Sequence, residues 1–150
     1  MPHRIPKSAL LASAARRDRA RKATILVAED SADAREMMQV LLETKGYDVV
    51  SAGDGIGAVD VALHELPDLI MIDLELPYLD GLAVTRELRL HHETARVPII
   101  IVSGHDPSRY RNAALTAGCD DYLLKPVDFD RLDKILHERI PTPLAQARTA

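Results

Sequence analysis

Five residues able to support acid–base, metal or nucleophilic chemistry stand at or just past the ends of short apolar runs. Glu29 and Asp30 follow Thr24–Ala28, Asp73 ends Leu69–Ile72, Ser103 follows Val97–Val102, and Lys125 follows Asp121–Leu124. If these runs are parallel strands, the five side chains meet on one rim. Three carboxylates there would repel, each close pair by about 4 kcal/mol at an effective dielectric of 20, less after salt screening. A cation must offset that repulsion. Oxygen donors favour a hard divalent ion, and Mg²⁺ accepts a few carboxylates while keeping several waters. Cys119 and the six scattered histidines make no coherent zinc set. Acidic helix caps alone would also account for Glu29 and Asp30, but Asp73 and Lys125 on the same rim favour a functional site.

The elements that must hold these residues alternate along the chain. Thr24–Ala28 is a short aliphatic strand. A helix follows, capped by Asp33 with Glu36 three residues on, with Ala34, Met37, Met38 and Leu41 on its apolar face, and stopped at Gly46. The pattern repeats as strand Tyr47–Ala52, helix Gly57 to about Glu65 (Val59, Ala62 and Leu63 inward), strand Leu69–Ile72 and, after a loop to Gly81, helix Leu82–Leu90. Strand Val97–Val102 tolerates Pro98 near its start. Asp106 caps a helix with Pro107 at its first position, running to Ala117 before Gly118. Strand Asp121–Leu124 and a helix over about Asp128–Ile140 finish the series, with Phe129, Leu132, Ile135 and Leu136 inward. Five strand–helix units in about 120 residues predict an α/β, doubly wound, flavodoxin-like (βα)5 sandwich: a parallel sheet in the order 2-1-3-4-5 with its crevice at the strands' carboxyl ends.

Length and charge narrow the field. One domain accommodates 150 residues, and 47% hydrophobic content argues against a disordered chain. One Phe, four Tyr and no Trp leave an aliphatic core. No apolar run approaches the ~18 residues of a membrane span. A single cysteine fits a reducing compartment. The net charge of −4 conceals a basic leader, residues 1–22, with seven basic side chains against Asp18, and an acidic remainder. An acidic body without a basic run disfavours nucleic acid. No glycine-rich loop follows the first strand, which disfavours a nucleotide site. The leader's apolar stretch, interrupted at Ser13 and followed by Arg16 and Arg17, is a poor secretory signal. We therefore expect a flexible or partly helical extension over 1–22, a folded body over 23–140, and a tail or truncated linker over 141–150.

With these residues in place, the chain resembles the receiver domain of two-component response regulators. The resemblance covers about Ala23–Ile140 and rests on Glu29-Asp30, Asp73-Leu74-Glu75-Leu76-Pro77-Tyr78-Leu79-Asp80-Gly81, Val102-Ser103-Gly104 and Asp121-Tyr122-Leu123-Leu124-Lys125-Pro126. It implies that Asp73 accepts a phosphoryl group from the phosphohistidine of a sensor kinase or phosphotransfer protein, with Mg²⁺ as cofactor. Asp30 would ligate the metal directly, Glu29 partly through water, Asp73 through another oxygen and Glu75 through its backbone carbonyl. Lys125 would pair with Asp73 or the phosphoryl oxygens, Ser103 would approach the phosphoryl group, and Tyr122 would turn inward as the switch. Pro126 would follow a cis peptide, Gly104 would leave room beside the phosphoryl group, and Pro77 and Gly81 would be scaffold.

Three departures from the family's commonest pattern bear on rate: Glu29 for a frequent aspartate, Leu76 for a frequent methionine, and Ser103 for a frequent threonine. Glu75 and His105 occupy the two variable rim positions that in this family tend to modulate phosphoryl lifetime; they are expected to restrict or orient the attacking water, with a Glu75–His105 contact as a route, and the alternative is that both face solvent independently. The resemblance implies a donor docking beside the first helix and an output surface on the fourth helix, fifth strand and fifth helix, bearing Arg109, Arg111, Asp120, Asp121, Arg131 and Lys134. That surface would meet an effector or a second copy in a phosphorylation-dependent homodimer. We expect a cytoplasmic protein that catalyses its own phosphorylation and slow autodephosphorylation without multiple turnover, and neither nucleic acid binding nor membrane insertion. The alternatives are a phosphorylation-independent interaction module on this scaffold and an aspartyl-phosphate phosphohydrolase. The latter lacks a recognisable cap domain and would use Glu75 where an aspartate is expected.

Overall fold

Runs such as Leu69–Ile72 and Ile99–Val102 are apolar on both sides of a strand, so each must be covered by helices on both faces. The computed structural model describes residues 22–140 and has that arrangement. Its elements are β1 (Thr24–Ala28), α1 (Ala32–Thr44), β2 (Asp48–Ala52), α2 (Gly55–Glu65), β3 (Leu69–Asp73), α3 (Gly81–Leu90), β4 (Ile99–Ser103), α4 (Pro107–Ala117), β5 (Asp121–Leu124) and α5 (Phe129–Arg139). All pairings are parallel and the strand order is β2-β1-β3-β4-β5, as the alternation predicts. Among the described residues no helix is long and apolar enough to cross a membrane.

Strand alternation divides the interior in two. Ile25, Val27, Met71, Ile100, Val102 and Leu123 point to one face and pack with Leu42 of α1 and Leu132, Ile135 and Leu136 of α5. Leu26, Ile70, Ile72, Ile99, Ile101 and Tyr122 point to the other and pack with Ala58 and Ala62 of α2, Val84 and Leu88 of α3, and Ala114 of α4. Each fully buried Leu or Ile contributes roughly 1.5–3 kcal/mol, so aliphatic side chains suffice without large aromatics.

The helix starts differ from the sequence reading in instructive ways. Ser31, rather than Asp33, caps α1 by accepting from the Ala34 N–H at 3.3 Å. Ser31 has the extended backbone a cap requires, whereas Asp33 lies inside the first turn, where its charge complements the helix N-terminus. Asp54 accepts from the Gly57 N–H at 2.7 Å, so α2 begins at Gly55 instead of Gly57. Gly55 presses so closely on the next loop that a Cβ would stand 1.9 Å from the Leu79 carbonyl oxygen. Asp106 caps α4 and Asp128 caps α5. β2 starts at Asp48 and β4 at Ile99, each later than the apolar pattern suggests.

Three expected inward residues are exposed, Ala34 among them. Met37 is 71% exposed and Phe129 51% exposed, and Leu42 is the buried anchor of α1. The flexible or partly helical extension expected over 1–22 and the tail expected over 141–150 lie outside the described residues, apart from Lys22, which is exposed and belongs to no element.

Candidate functional site

Strand register builds the rim. Ala28 pairs with Ile72, so Glu29 comes level with Asp73. Asp73 pairs with Val102, so Ser103 lies one step beyond, and Ser103 pairs with Leu124, so Lys125 lies one step beyond that. Backbone bonds extend each strand past its end: Glu29 N–H donates to the Ala52 carbonyl at 3.0 Å, Leu74 N–H to Val102 at 3.2 Å, and Lys125 N–H to Ser103 at 2.7 Å. The peptide between Lys125 and Pro126 is cis.

These bonds bring the acidic residues together. One carboxylate oxygen each from Glu29, Asp30 and Asp73 lie within 4.8 Å of one another. Lys125 Nζ donates to Asp73 Oδ2 at 2.7 Å and reaches Glu29 Oε1 at 3.4 Å. The Glu75 N–H donates to Asp73 Oδ1 at 3.0 Å. Glu29 Oε2 is buried with no hydrogen-bond partner. An orphaned carboxylate oxygen at depth is costly, and a hard cation is the partner its chemistry fits.

Electrostatics separate the roles of the carboxylates. Burial, reinforced by the hydrogen bond and charge of Asp73 and opposed by Lys125, pushes Glu29 up to about 7. Burial would also raise Asp73, but hydrogen bonds from Glu29, Lys125 and the Glu75 N–H hold it below the ordinary carboxylate range. Burial works against the Lys125 ammonium, yet the hydrogen bond and charge of Asp73, with Glu29 adding, raise it above its usual value. Without a metal, therefore, the direction of the two shifts puts the proton of this pair on Glu29 and leaves Asp73 ionised.

The remaining expected residues ring this centre. Ser103 is buried, and its Oγ accepts from the His105 N–H at 3.0 Å. Tyr122, 3% exposed, already points inward, its hydroxyl donating to the His105 carbonyl at 3.0 Å. Glu75 Oε1 and His105 Nε2 meet in a close polar contact. The His105 ring packs against Tyr110 with centroids 5.0 Å apart. Asp30, Glu75, Pro77, His105 and Tyr110 are among the residues lining a cleft of about 450 Å³. Gly81 is buried under Asp73, where a Cβ would stand 2.5 Å from the Asp73 carbonyl oxygen, whereas one at Gly104 would stand in open space. Pro77 is exposed, and its carbonyl accepts from the Gly55 N–H at 3.0 Å.

Sequence reading missed Arg35, whose Nη1 donates to the Glu29 carbonyl at 2.7 Å. Its only advance signal was a basic residue in the first helix soon after the acidic pair. Also unforeseen was Arg89, which donates to the carbonyls of Gly118, Thr94, Ala95 and Val97 and pairs with Asp120 at 2.9 Å. It ties α3 to the loops flanking β4 and β5.

On the α1 side a second, largely apolar groove of about 670 Å³ runs from Asp73 and Lys125 past Met37, Met38 and Leu41 to Thr44. Val27, Met71 and Val102 are among its lining residues, and Phe129 flanks it. Lys45 and Asp133 join α1 to α5 at 2.6 Å.

Comparison with known proteins bears on this architecture. The model of the response regulator receiver domain family matches residues 25–137. The DNA-binding dual master transcriptional regulator RpaA of Synechocystis sp. is 36% identical over 108 residues, 72% of this chain and 45% of that protein. The response regulator MprA of Mycobacterium avium is 39% identical over 108 residues, 72% of this chain and 46% of that protein. The chain thus spans less than half the length of these curated relatives. Among solved structures, the receiver domain of sensor histidine kinase PA1611 from Pseudomonas aeruginosa, with a magnesium ion coordinated in its active site cleft, superposes with a TM-score of 0.74 at 37% identity, covering 79% of this chain and 98% of that one. The chemotaxis protein CheY4 of Vibrio cholerae gives a TM-score of 0.75 at 25% identity, covering 79% and 99%.

Proposed function

Since this chain belongs to the response regulator receiver domain family, we propose that Asp73 accepts a phosphoryl group from the phosphohistidine of a sensor kinase or histidine phosphotransfer protein. The observation that carries this reading is the pairing of an ionised Asp73 with Lys125 at 2.7 Å beside two further carboxylates. An Asp73 oxygen attacks phosphorus, the P–N bond to the donor imidazole breaks, and an acyl phosphate forms. The Lys125 ammonium is placed to follow the charge from the carboxylate onto the phosphoryl oxygens. Ser103 supplies a hydroxyl from the neighbouring strand.

The orphaned Glu29 oxygen and the clustered acidic donors fit Mg²⁺, held by Asp30, Glu29, Asp73 and the Glu75 carbonyl. When bound, the ion neutralises phosphoryl oxygens during transfer. Magnesium in the cleft of the PA1611 receiver supports this assignment.

The groove beside α1 is the docking side for the donor's histidine-bearing helices, since its exposed Met37, Val40 and Phe129 lead to Asp73. The inward Tyr122 links the rim to the face of α4, β5 and α5, which passes the signal to an effector or a second copy. Glu75 and His105 screen the acyl phosphate from water. A donor phosphohistidine made at the expense of ATP would place the protein in the cytoplasm.

Intact-protein mass after exposure to a small-molecule phosphodonor tests the reading. The expected result is a single phosphoryl adduct that requires Mg²⁺ and is lost in Asp73→Asn. Faster decay of that adduct in Glu75→Ala or His105→Ala is expected from the screening role. No adduct on folded protein would move the function to a phosphorylation-independent interaction module.

A further inference from the structure

Two carboxylates can cooperate on one cation only if the backbone that carries them is held still. Glu29 and Asp30 lie where the chain leaves β1 and turns into α1, beyond the last pairing of that strand. The Glu29 N–H is fixed by its bond to the Ala52 carbonyl at 3.0 Å. Its carbonyl is held separately, because Arg35 reaches back from α1 to donate to it at 2.7 Å. The peptide plane joining Glu29 to Asp30 is therefore gripped, and with it the bond from which the Asp30 side chain departs.

The guanidinium has a prepared seat. Gly53, in the turn after β2, leaves a space in which a Cβ would come 3.1 Å from Arg35 Nη1 and 3.8 Å from Cζ. Arg35 thus spans two loops at the rim, one carrying the acidic pair and one carrying the glycine. A hydrogen bond from a charged donor is roughly twice as strong as one between neutral groups, and a planar guanidinium holds its direction better than a flexible ammonium.

We propose that Arg35 is a positioning residue for the metal pair, fixing the Glu29–Asp30 peptide so that both carboxylates face one cation. This rests on the receiver reading of the acidic trio. Groups that orient metal ligands from outside the coordination sphere typically change metal affinity by about 10–100-fold when removed.

Mg²⁺ titration followed by amide chemical shifts, on the full chain, tests the assignment. The Mg²⁺ dissociation constant is expected to rise about tenfold in Arg35→Ala, to recover in part in Arg35→Lys, and to rise slightly in Gly53→Ala. The Mg²⁺-induced gain in melting temperature should shrink in the same order. If Arg35→Ala is poorly folded, Arg35→Lys and Gly53→Ala carry the test. Unchanged affinity in folded variants overturns the proposal, including the case in which only transfer from a protein donor is weakened, which would assign Arg35 to docking. An Asp30→Asn arm separates the two readings: loss of binding there with parental binding in the Arg35 variants sinks this inference alone, whereas parental binding in Asp30→Asn sinks the metal site itself.

Discussion

Glu29 is buried, carries an oxygen without a donor, and sits beside an Asp73 already neutralised by Lys125. Its carboxyl is raised to about 7 from an unfolded value of 4.5, with burial the largest cause. In the absence of metal the folded chain therefore binds this proton more tightly than the unfolded chain between those values. Stability from this group is fully present below about pH 4.5 and is lost as pH rises toward 7, since ionising Glu29 then opposes folding. In EDTA, Glu29→Gln should melt a few degrees above the parent at pH 8 and level with it near pH 4. Equal melting temperatures at both pH values would contradict this. Asp73, Ser103 and Lys125 were legible in the sequence because a strand-end position follows from the apolar period alone. The grip of Arg35 was not, because it depends on how far a long side chain reaches between loops, and the meeting of Glu75 with His105 was one of two alternatives the sequence left open.

At the scale of elements, two close approaches set the rim. α2 starts against the Leu79 carbonyl and α3 starts against the Asp73 carbonyl, each through a glycine. Gly55→Ala forces backbone apart and is expected to cost about 1–3 kcal/mol, read as a lower urea midpoint. Gly81→Ala should cost a similar amount and also slow phosphorylation, because the atom displaced belongs to Asp73. Gly104→Ala, facing open space, should leave the midpoint unmoved; a loss there as large as at Gly55 would refute the packing account. Element order and type were readable from periodicity. Helix starts were less so: Ser31 and Asp33 are both capable caps, and only the backbone geometry at Ser31 decides between them.

For the whole molecule, strand order and the two-layer cover followed from five alternating units, but which helix residues face solvent did not. Met37 and Phe129 have the spacing of core residues and yet line the groove on the α1 side, where each stays more than half exposed. The opposite problem holds on the α4–β5–α5 face. Asp120 and Asp121 are engaged internally by Arg89 and Arg131, leaving Leu115 and Leu124 among the exposed groups available for contact. If that face pairs two copies, sedimentation velocity should show heavier species on complete phosphorylation, with the shift lost in Leu124→Lys. Identical sedimentation before and after phosphorylation would rule the homodimer out. The sheet itself has a consequence for descent. The groove draws on Val27, Met71 and Val102 in one core, while Tyr122 sits in the other. Substitutions well separated across that wall should add rather than interact. A duplicated copy could therefore change its donor by drifting on one side while keeping its reply on the other, so that new wiring and freedom from crosstalk arise without rebuilding the switch.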